Sequence, residues 1–528
     1  MSATAEEAAG ASASPHARWV AAGIFLSRIS GFFRQSVLAF YFGTSLYADV
    51  FNAALRMPNV LQNLLGEGTL SASFIPVYAE LLARGRREEA GRVAGAVLAL
   101  LTAVAGALAI IGIVFAPVLV DVFLWGFEGE RRALAITVTR IVFPMTGTLV
   151  LSAWALGILN THRHFFVSYA APVLWNAAMI ATLVFLGGRL TSDRLLIALA
   201  WGAFVGGVLQ FAIQLPWVIT LQRELHVRWG LGLEGVRTVV RNAGPAILGR
   251  GVVQVSSWID LVLGSFLAVG AIAALGYASM LYILPVSLFG ISVAAAELPE
   301  LSRHHAVEGA AAQLHARANA ALRQIAFLVV PSVVGYIVLG DYLVAGLFQR
   351  GDFGPADTRL VHLVLAGYSI GLLASTGSRM LSSVFFALRD TRTPAKVAVV
   401  RVAAAGALGV ALMLPLDRVA ISPELRLGAL GLSIASAAGS WVEWSLLRRS
   451  LRERIGRVGT GAGPLARMCI AAVLMAVVVR IGIAALPQLP AIPTAALALL
   501  PYGAGYFVVA HLLGIEEAAR TLGRFARR

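Results

Sequence analysis

SRISGFFRQSVLAFYFGTSLYADVFNAALRMPNVLQNLLGEGTLSASFIP, residues 27–76, is the stretch whose reading decides the fold. It is apolar enough to lie in a bilayer, yet it carries Arg28, Arg34, Asp49, Arg56 and Glu67. A charge near the middle of a membrane helix costs about 2.5–3.5 kcal/mol on insertion scales. Arg28 and Arg34 both fall inside the first apolar run. They are tolerable there only if they meet water, a counter-ion or an anionic ligand.

The second half of the stretch adds a pattern. Asp49, Asn52, Arg56, Asn59, Asn63 and Glu67 are spaced 3, 4, 3, 4 and 4 residues apart. At about 100° per residue that spacing keeps them near one face of a helix, with Gln62 beside them. The remaining faces carry Phe51, Ala53, Leu55, Val60, Leu61 and Leu64. Pro58 predicts a kink, because it lacks an N–H and clashes with the preceding turn. Two readings stay open: the stripe lines a water-filled cavity, or its polar groups pair with one another inside a bundle.

Working outward, the 528-residue chain is 59% hydrophobic and 13% charged, with a mean hydropathy of +0.81. Apolar runs of about 20 residues recur from end to end, each long enough to cross roughly 30 Å of hydrocarbon. The net charge of +15 sits in short loops between these runs, which is a membrane-topology signal and excludes a nucleic-acid footprint. Cys469 is the single cysteine, so there is no disulfide framework and no cysteine metal site. His162, His164, His304 and His305 fall in loops without ligand spacing and read as facing solvent or headgroups.

The fold class expected is an all-α polytopic membrane protein with about 14 transmembrane helices between residues 19 and 514. Residues 1–17 read as a disordered cytoplasmic N-terminus without the basic n-region of a signal peptide. Residues 18–221 form a first six-helix lobe, 222–450 a second, 451–515 a C-terminal helix pair and 516–528 a basic cytoplasmic tail. Alternate loops separate by charge. One set holds Arg84, Arg86, Arg87 and Arg92, then Arg223 to Arg241, Arg389 to Lys396, and Arg448 to Arg457. The other holds fewer, among them Arg131, Arg132 and Arg189, often beside acids. The positive-inside rule then puts the first set and both termini in the cytoplasm. Gly66-Glu67-Gly68 followed by Pro76 is faintly echoed by Gly290 followed by Glu297-Leu298-Pro299, an internal repeat of the kind transporters use.

A search for chemistry finds no phosphate-cradling Gly-Lys-Ser/Thr loop, no HExxH, no Gly-x-Ser-x-Gly and no catalytic triad. The chain reads as a non-enzyme with no cofactor. What remains is cationic side chains at membrane depth with a few acids, which suits moving an anion. Arg250 and Asp260 add to this in the seventh run. Ten residues apart, they lie about 15 Å along the axis and roughly 80° apart, so each needs another partner. Asp260 is a candidate cation or proton site. Arg401, Glu443 and Arg379 also approach membrane depth, the last two near enough to a surface to snorkel.

These residues resemble the MurJ/MviN lipid II flippase family of the multidrug/oligosaccharidyl-lipid/polysaccharide exporter superfamily. The resemblance rests on Ser27-Arg28-Ile-Ser-Gly31-Phe-Phe-Arg34, Ala48-Asp49-Val-Phe, Arg56-Met-Pro58-Asn59, Gly66-Glu67-Gly68 and Ser73-Phe-Ile-Pro76. Gly244-Pro245-Ala-Ile-Leu-Gly249, Leu347-Phe-Gln-Arg350-Gly351 and Asp390-Thr-Arg-Thr-Pro394 follow in family order. The resemblance implies two six-helix lobes in a V plus a C-terminal helix pair that forms a groove for a lipid tail. It implies alternating-access movement of undecaprenyl-diphosphate-linked peptidoglycan precursor (lipid II) from the cytoplasmic to the periplasmic leaflet of a bacterial inner membrane.

By motif position, Arg28 and Arg34 would hold the diphosphate, with Asp49 and Glu67 as functional acids; the helical stripe adds Arg56 as a further cation and Asn52, Asn59, Gln62 and Asn63 as cavity lining. Arg28 and Arg34 stand about 120° and 9 Å apart on a straight helix, so a bend at Ser30-Gly31 is expected to bring them to one side. Two departures stand out. Gln62 and Asn63 follow the Pro-Asn pair where the family often has a basic residue, and Met280 and Ile283 replace a charged pair before Pro285. Arg250 is the candidate substitute. The implied partners are the lipid-linked precursor, membrane lipids and cell-wall synthesis machinery, with coupling to the membrane potential or a monovalent cation. The alternatives are a flippase for another polyprenyl-linked oligosaccharide and a non-transporting cell-wall scaffold.

Overall fold

The computed structural model describes residues 15–294, 297, 310–423, 425–487 and 489–519. Regular structure there is helical, apart from one isolated bridge between Ala420 and Arg426. Among the described residues, nine helices are long and apolar enough to cross a membrane. The pair Pro355–Ile370 and Leu372–Ala387, bent by 41° at its break, makes ten when counted as one span. The protein is therefore an all-helical, multi-pass membrane protein. Helices such as Pro15–Phe42 and Leu46–Leu65 carry the intramembrane charges of the opening stretch, which lower their hydropathy. The chain divides into two compact units, Met1–Phe42 with Leu46–Phe266, and Gly43–Ser45 with Leu267–Arg528.

The first unit runs α1 (Pro15–Phe42), α2 (Leu46–Leu65), α3 (Glu67–Ala83), α4 (Arg87–Val114), α5 (Ala116–Phe123) and α6 (Gly129–Thr161). It continues with α7 (Phe165–Ala170), α8 (Pro172–Leu186), α9 (Ser192–Leu221) and α10 (Glu234–Ser265). Its axis is α6, whose most apolar stretch is 72% buried, against 17% for α4, which turns most of its surface outward. Two polar groups on this buried helix, Trp154 and Ser152, bond across to α4 and α9. Trp154 donates its indole N–H to the Ala94 carbonyl at 3.2 Å. The Ser152 hydroxyl donates to Gln214 Oε1 at 2.9 Å and accepts from Gln210 Nε2 at 3.0 Å.

The expected kink at Pro58 is not where the second span breaks. Pro58 sits inside α2 without ending it, and the helix stops at Leu65. The break falls at Gly66, where an added Cβ would lie 2.4 Å from the Gln62 carbonyl oxygen. Only glycine fits that approach. Glu67 then opens α3, in a first turn that favours a carboxylate.

The second unit holds α11 (Ala271–Pro285), a π-helical turn (Val286–Ile291), α12 (Ala310–Val338), α13 (Gly340–Phe348) and α14 (Pro355–Ile370). It continues with α15 (Leu372–Ala387), α16 (Arg392–Asp417), α17 (Gly428–Ile455), α18 (Ala462–Ala484) and α19 (Ala491–Leu512). Pro285 cannot donate to the preceding turn, and the helix widens into π geometry directly after it. Gly290 lies in that turn, where a Cβ would meet Thr376 Cγ2 at 2.4 Å. Both glycines of the sequence echo, Gly66 and Gly290, thus mark irregular turns, while Leu298 and Pro299 lie outside the described residues.

The turn Gly43–Ser45 belongs to this unit through Tyr277, which donates to the Gly43 carbonyl at 3.0 Å, and through a Thr44–Asp357 hydrogen bond. The α18–α19 hairpin docks on α12. Tyr502 donates to the Pro331 carbonyl at 2.7 Å and Tyr506 to the Phe327 carbonyl at 2.8 Å.

Candidate functional site

The helix α1 runs unbroken through Ser30-Gly31. Ser30 Oγ bonds back to the Ser27 carbonyl at 2.9 Å and accepts from Asn176 Nδ2 at 2.9 Å. Such back-bonding is a local perturbation a helix tolerates without ending. Arg28 is exposed. Arg34 is half-buried, with its guanidinium 5.0 Å from the Trp175 ring centroid. On α2, Arg56 is half-buried as well. Among the described residues none of the three has an acidic partner.

Asp49 behaves differently. It is 0% exposed and accepts from Arg131 Nη2 at 2.5 Å, while the Arg131 guanidinium sits 3.8 Å from the Phe127 ring centroid. Hydropathy places Arg131 in an outer loop, but the structure seats it in the first turn of α6. The site acid nearest the start of α2 is therefore neutralised from a helix 82 residues further on.

Along the rest of the stripe, Asn52 donates to the Ala48 carbonyl of its own helix at 2.8 Å. Asn59 and Gln62 are half-buried, and Asn63 and Glu67 are exposed. The face grades from a buried, neutralised end to an open one. Asp49 bonds to α6 and Asn52 to its own helix, and no bond between members of the stripe is seen among the described residues.

A further arginine escaped the sequence reading. Arg140 is exposed on α6, in the first half of a long apolar helix, without an acidic partner among the described residues. A lone arginine inside residues 134–160 was the signal that could have found it.

Arg250 lies in α10, and its side chain falls outside the described residues. Asp260, on the same helix, is exposed and has an interaction partner. Among the described residues, no group of three or more His, Cys, Asp or Glu side chains could hold a metal ion. In the second unit Met280 is half-buried and Ile283 is exposed. Glu443 does not snorkel away alone: it pairs with Arg401 at 3.4 Å, both side chains largely covered. Arg379 is exposed.

Two features outside the spans are structural. His162, expected in solvent, closes a buried lattice instead. Its Nε2 is 3.0 Å from Tyr78 Oη, which donates to Gln222 Oε1 at 3.0 Å, and Gln222 Nε2 donates to the Arg87 carbonyl at 2.9 Å. Burial, helped by His164 and Arg87, holds the imidazole below its ordinary pKa. Asp390 caps the start of α16. It accepts from Thr393 N at 2.9 Å, Thr393 Oγ1 at 2.7 Å, Arg392 N at 3.0 Å and Arg454 Nη2 at 2.7 Å. The Thr393 bonds, followed by Arg454, depress its carboxyl to about 2.

Arginines within apolar helices and without acidic partners among the described residues, on a multi-pass helical frame, define a membrane protein suited to an anionic ligand. A family model described as "Lipid II flippase MurJ" matches residues 38–491, and the chain belongs to that family, one of transporters and not of enzymes. It is 32% identical over 435 residues to the lipid II flippase MurJ of Burkholderia cenocepacia, covering 81% of this chain and 82% of that one. It is 32% identical over 519 residues to a probable lipid II flippase MurJ of Rhizobium meliloti, covering 92% and 91%.

Solved structures agree on the fold. A lipid II flippase MurJ in an inward closed conformation superposes with a TM-score of 0.76 at 22% identity, over 94% of this chain and 99% of that one. An inward-facing multidrug resistance MATE family transporter of the MOP superfamily superposes at 0.61 and 19% identity, over 81% and 94%.

Proposed function

We propose that the chain moves lipid II, the undecaprenyl-diphosphate-linked peptidoglycan precursor, from the cytoplasmic to the periplasmic leaflet of a bacterial inner membrane by alternating access. The observation that carries this reading is the set Arg28, Arg34, Arg56 and Arg140, all in the first unit and all without acidic partners among the described residues. Guanidinium groups match phosphoryl oxygens through charge-assisted, forked hydrogen bonds. A diphosphate is thus the kind of cargo that offsets their insertion cost. Asn52, Asn59, Gln62 and Asn63 supply neutral polar lining, and Glu67 an exposed acid near the open end of the stripe. Asp49 acts through Arg131 rather than on the cargo.

Fourteen spans, arranged as two six-helix lobes and a C-terminal pair, with both termini cytoplasmic, complete the reading. The basic loops support that orientation. Arg250, on α10 of the first unit, remains the candidate substitute for the charge missing at Met280 and Ile283, and Asp260 the candidate cation or proton site. A membrane potential negative inside favours outward movement of an anion by about 2.3 kcal/mol per charge per 100 mV.

The test is complementation of a bacterium depleted of its own lipid II flippase, with the wild-type chain and with Arg28→Ala. Rescue by the wild type alone is expected. Failure of a well-expressed, membrane-inserted wild type would redirect the assignment to another polyprenyl-linked glycan or to a scaffold.

A further inference from the structure

The second unit contains a compartment lined by none of the residues placed in the proposed transport site. An apolar cavity of about 290 Å³ lies between α12, α15, α17 and α18, walled by Leu322, Ile325, Leu373, Leu465, Trp441 and Trp444. A second pocket of about 350 Å³ shares Trp444 and Arg448 with it and is otherwise lined by Ser445, Arg449, Arg452 and Arg457. The apolar cavity and the arginine-lined pocket thus adjoin at Trp444 and Arg448.

Those arginines are not neutralised by protein. Among the described residues Arg448, Arg449, Arg452 and Arg457 have no acidic partner, whereas their neighbour Arg454 is committed to Asp390 at 2.7 Å. Like charges gathered at one mouth repel unless an anion joins them. The rim is held in shape. Gly456 and Gly461 bend the 456–461 turn with φ of +90° and +78°. Asn319 Oδ1 accepts from Gly459 N at 2.8 Å, and His315 Nε2 lies 2.8 Å from the Arg457 carbonyl oxygen. Val458 is fully buried beneath the turn. Arg448 leans over the turn, its Nη2 3.0 Å from where a Gly459 Cβ would stand. Trp444 lines both pockets, between the apolar walls and the arginines, a setting tryptophan favours at membrane interfaces.

We infer that this compartment binds one anionic phospholipid of the surrounding leaflet, with its phosphodiester among Arg448, Arg449, Arg452 and Arg457 and one acyl chain in the cavity walled by Leu322, Ile325, Leu373 and Leu465. Basic pockets between transmembrane helices are chemically suited to such headgroups, and a chain-sized apolar chamber behind the cations distinguishes a lipid from a free anion. The occupant joins the end of α17 to the start of α18 and to α12. It therefore stabilises the packing of the C-terminal hairpin on the second unit.

The experiment uses the full chain, purified in detergent, read by native mass spectrometry and by the melting temperature with added probe. Dioleoyl phosphatidylglycerol should raise Tm and give one retained adduct, and dioleoyl phosphatidylcholine should do neither. R448Q/R452Q should weaken the phosphatidylglycerol effect by about thirtyfold. A462F, placed at the cavity wall, should remove the advantage of long-chain over short-chain phosphatidylglycerol while keeping the arginines. If R448Q/R452Q does not fold, R457Q on the turn carries the same expectation at a smaller fold-change.

Three results would overturn the inference. One is an equal shift by glycerol 3-phosphate, which would make this an anion pocket without a chain site. Another is displacement of phosphatidylglycerol by undecaprenyl diphosphate with the same sensitivity to R448Q/R452Q, which would give the site to the transported lipid. The last is an unchanged adduct in all the variants.

Discussion

Asp49 and Arg131 form an ion pair at 2.5 Å with side chains 0% and 11% exposed, joining the first turn of α2 to the first turn of α6. Removing one partner of a buried pair leaves the other charge stranded, a loss of about 3–5 kcal/mol. Asp49→Asn and Arg131→Met should each lower the unfolding temperature markedly in detergent. The double substitution should recover most of the loss, because a neutral, space-filling pair replaces both charges. Additive losses in the double variant would show that the two side chains act independently.

The break between α2 and α3 depends on Gly66. A methyl group there would stand 2.4 Å from the Gln62 carbonyl oxygen, so Gly66→Ala must shift backbone at a cost of about 1–3 kcal/mol. Both thermal stability and rescue of the depleted strain are expected to fall. A Gly66→Ala protein as stable and active as wild type would mean that the break is not required.

Arg140 should join Arg28 as a functional cation. Arg140→Gln is expected to reduce rescue of the depleted strain at normal expression, and Arg140→Lys to retain part of it, since charge survives but the forked donor geometry does not. Full rescue by the glutamine variant would remove Arg140 from the proposed site.

The His162 lattice sets a pH dependence. The folded state holds its pKa below that of the unfolded chain, so the unfolded state binds more protons once the pH drops below the unfolded value of about 6.5. Stability from this group is fully present above that value and is lost as the pH falls towards the folded pKa. Thermal unfolding between pH 7.5 and 5 should show a decline that His162→Gln flattens. An identical decline in both proteins would assign it to other groups.

Much of this protein was legible in its residues alone. Runs of about 20 apolar residues determine a multi-pass helical protein, because an unbroken run of that length satisfies its own backbone in hydrocarbon as a helix, whereas barrel strands are about half as long. Arg28, Arg34 and Arg56 were visible as misplaced charges, since their cost is set by depth and not by any neighbour. Asp390 was visible only as part of a motif, and its four accepted hydrogen bonds show that part of that motif serves as a cap.

Partnership was decided by tertiary structure. Asp49 is neutralised by Arg131, Glu443 by Arg401, and His162 is drawn into a buried lattice with Tyr78 and Gln222. Helical periodicity reports which face a residue occupies, but not which distant helix meets that face. Likewise the break at Gly66 could not be read from sequence, because the close approach of the Gln62 carbonyl is a property of the folded backbone, while Pro58 sits inside α2 without ending it. Depth along one helix can be counted from sequence, whereas the pairing of charges between helices follows from how they pack.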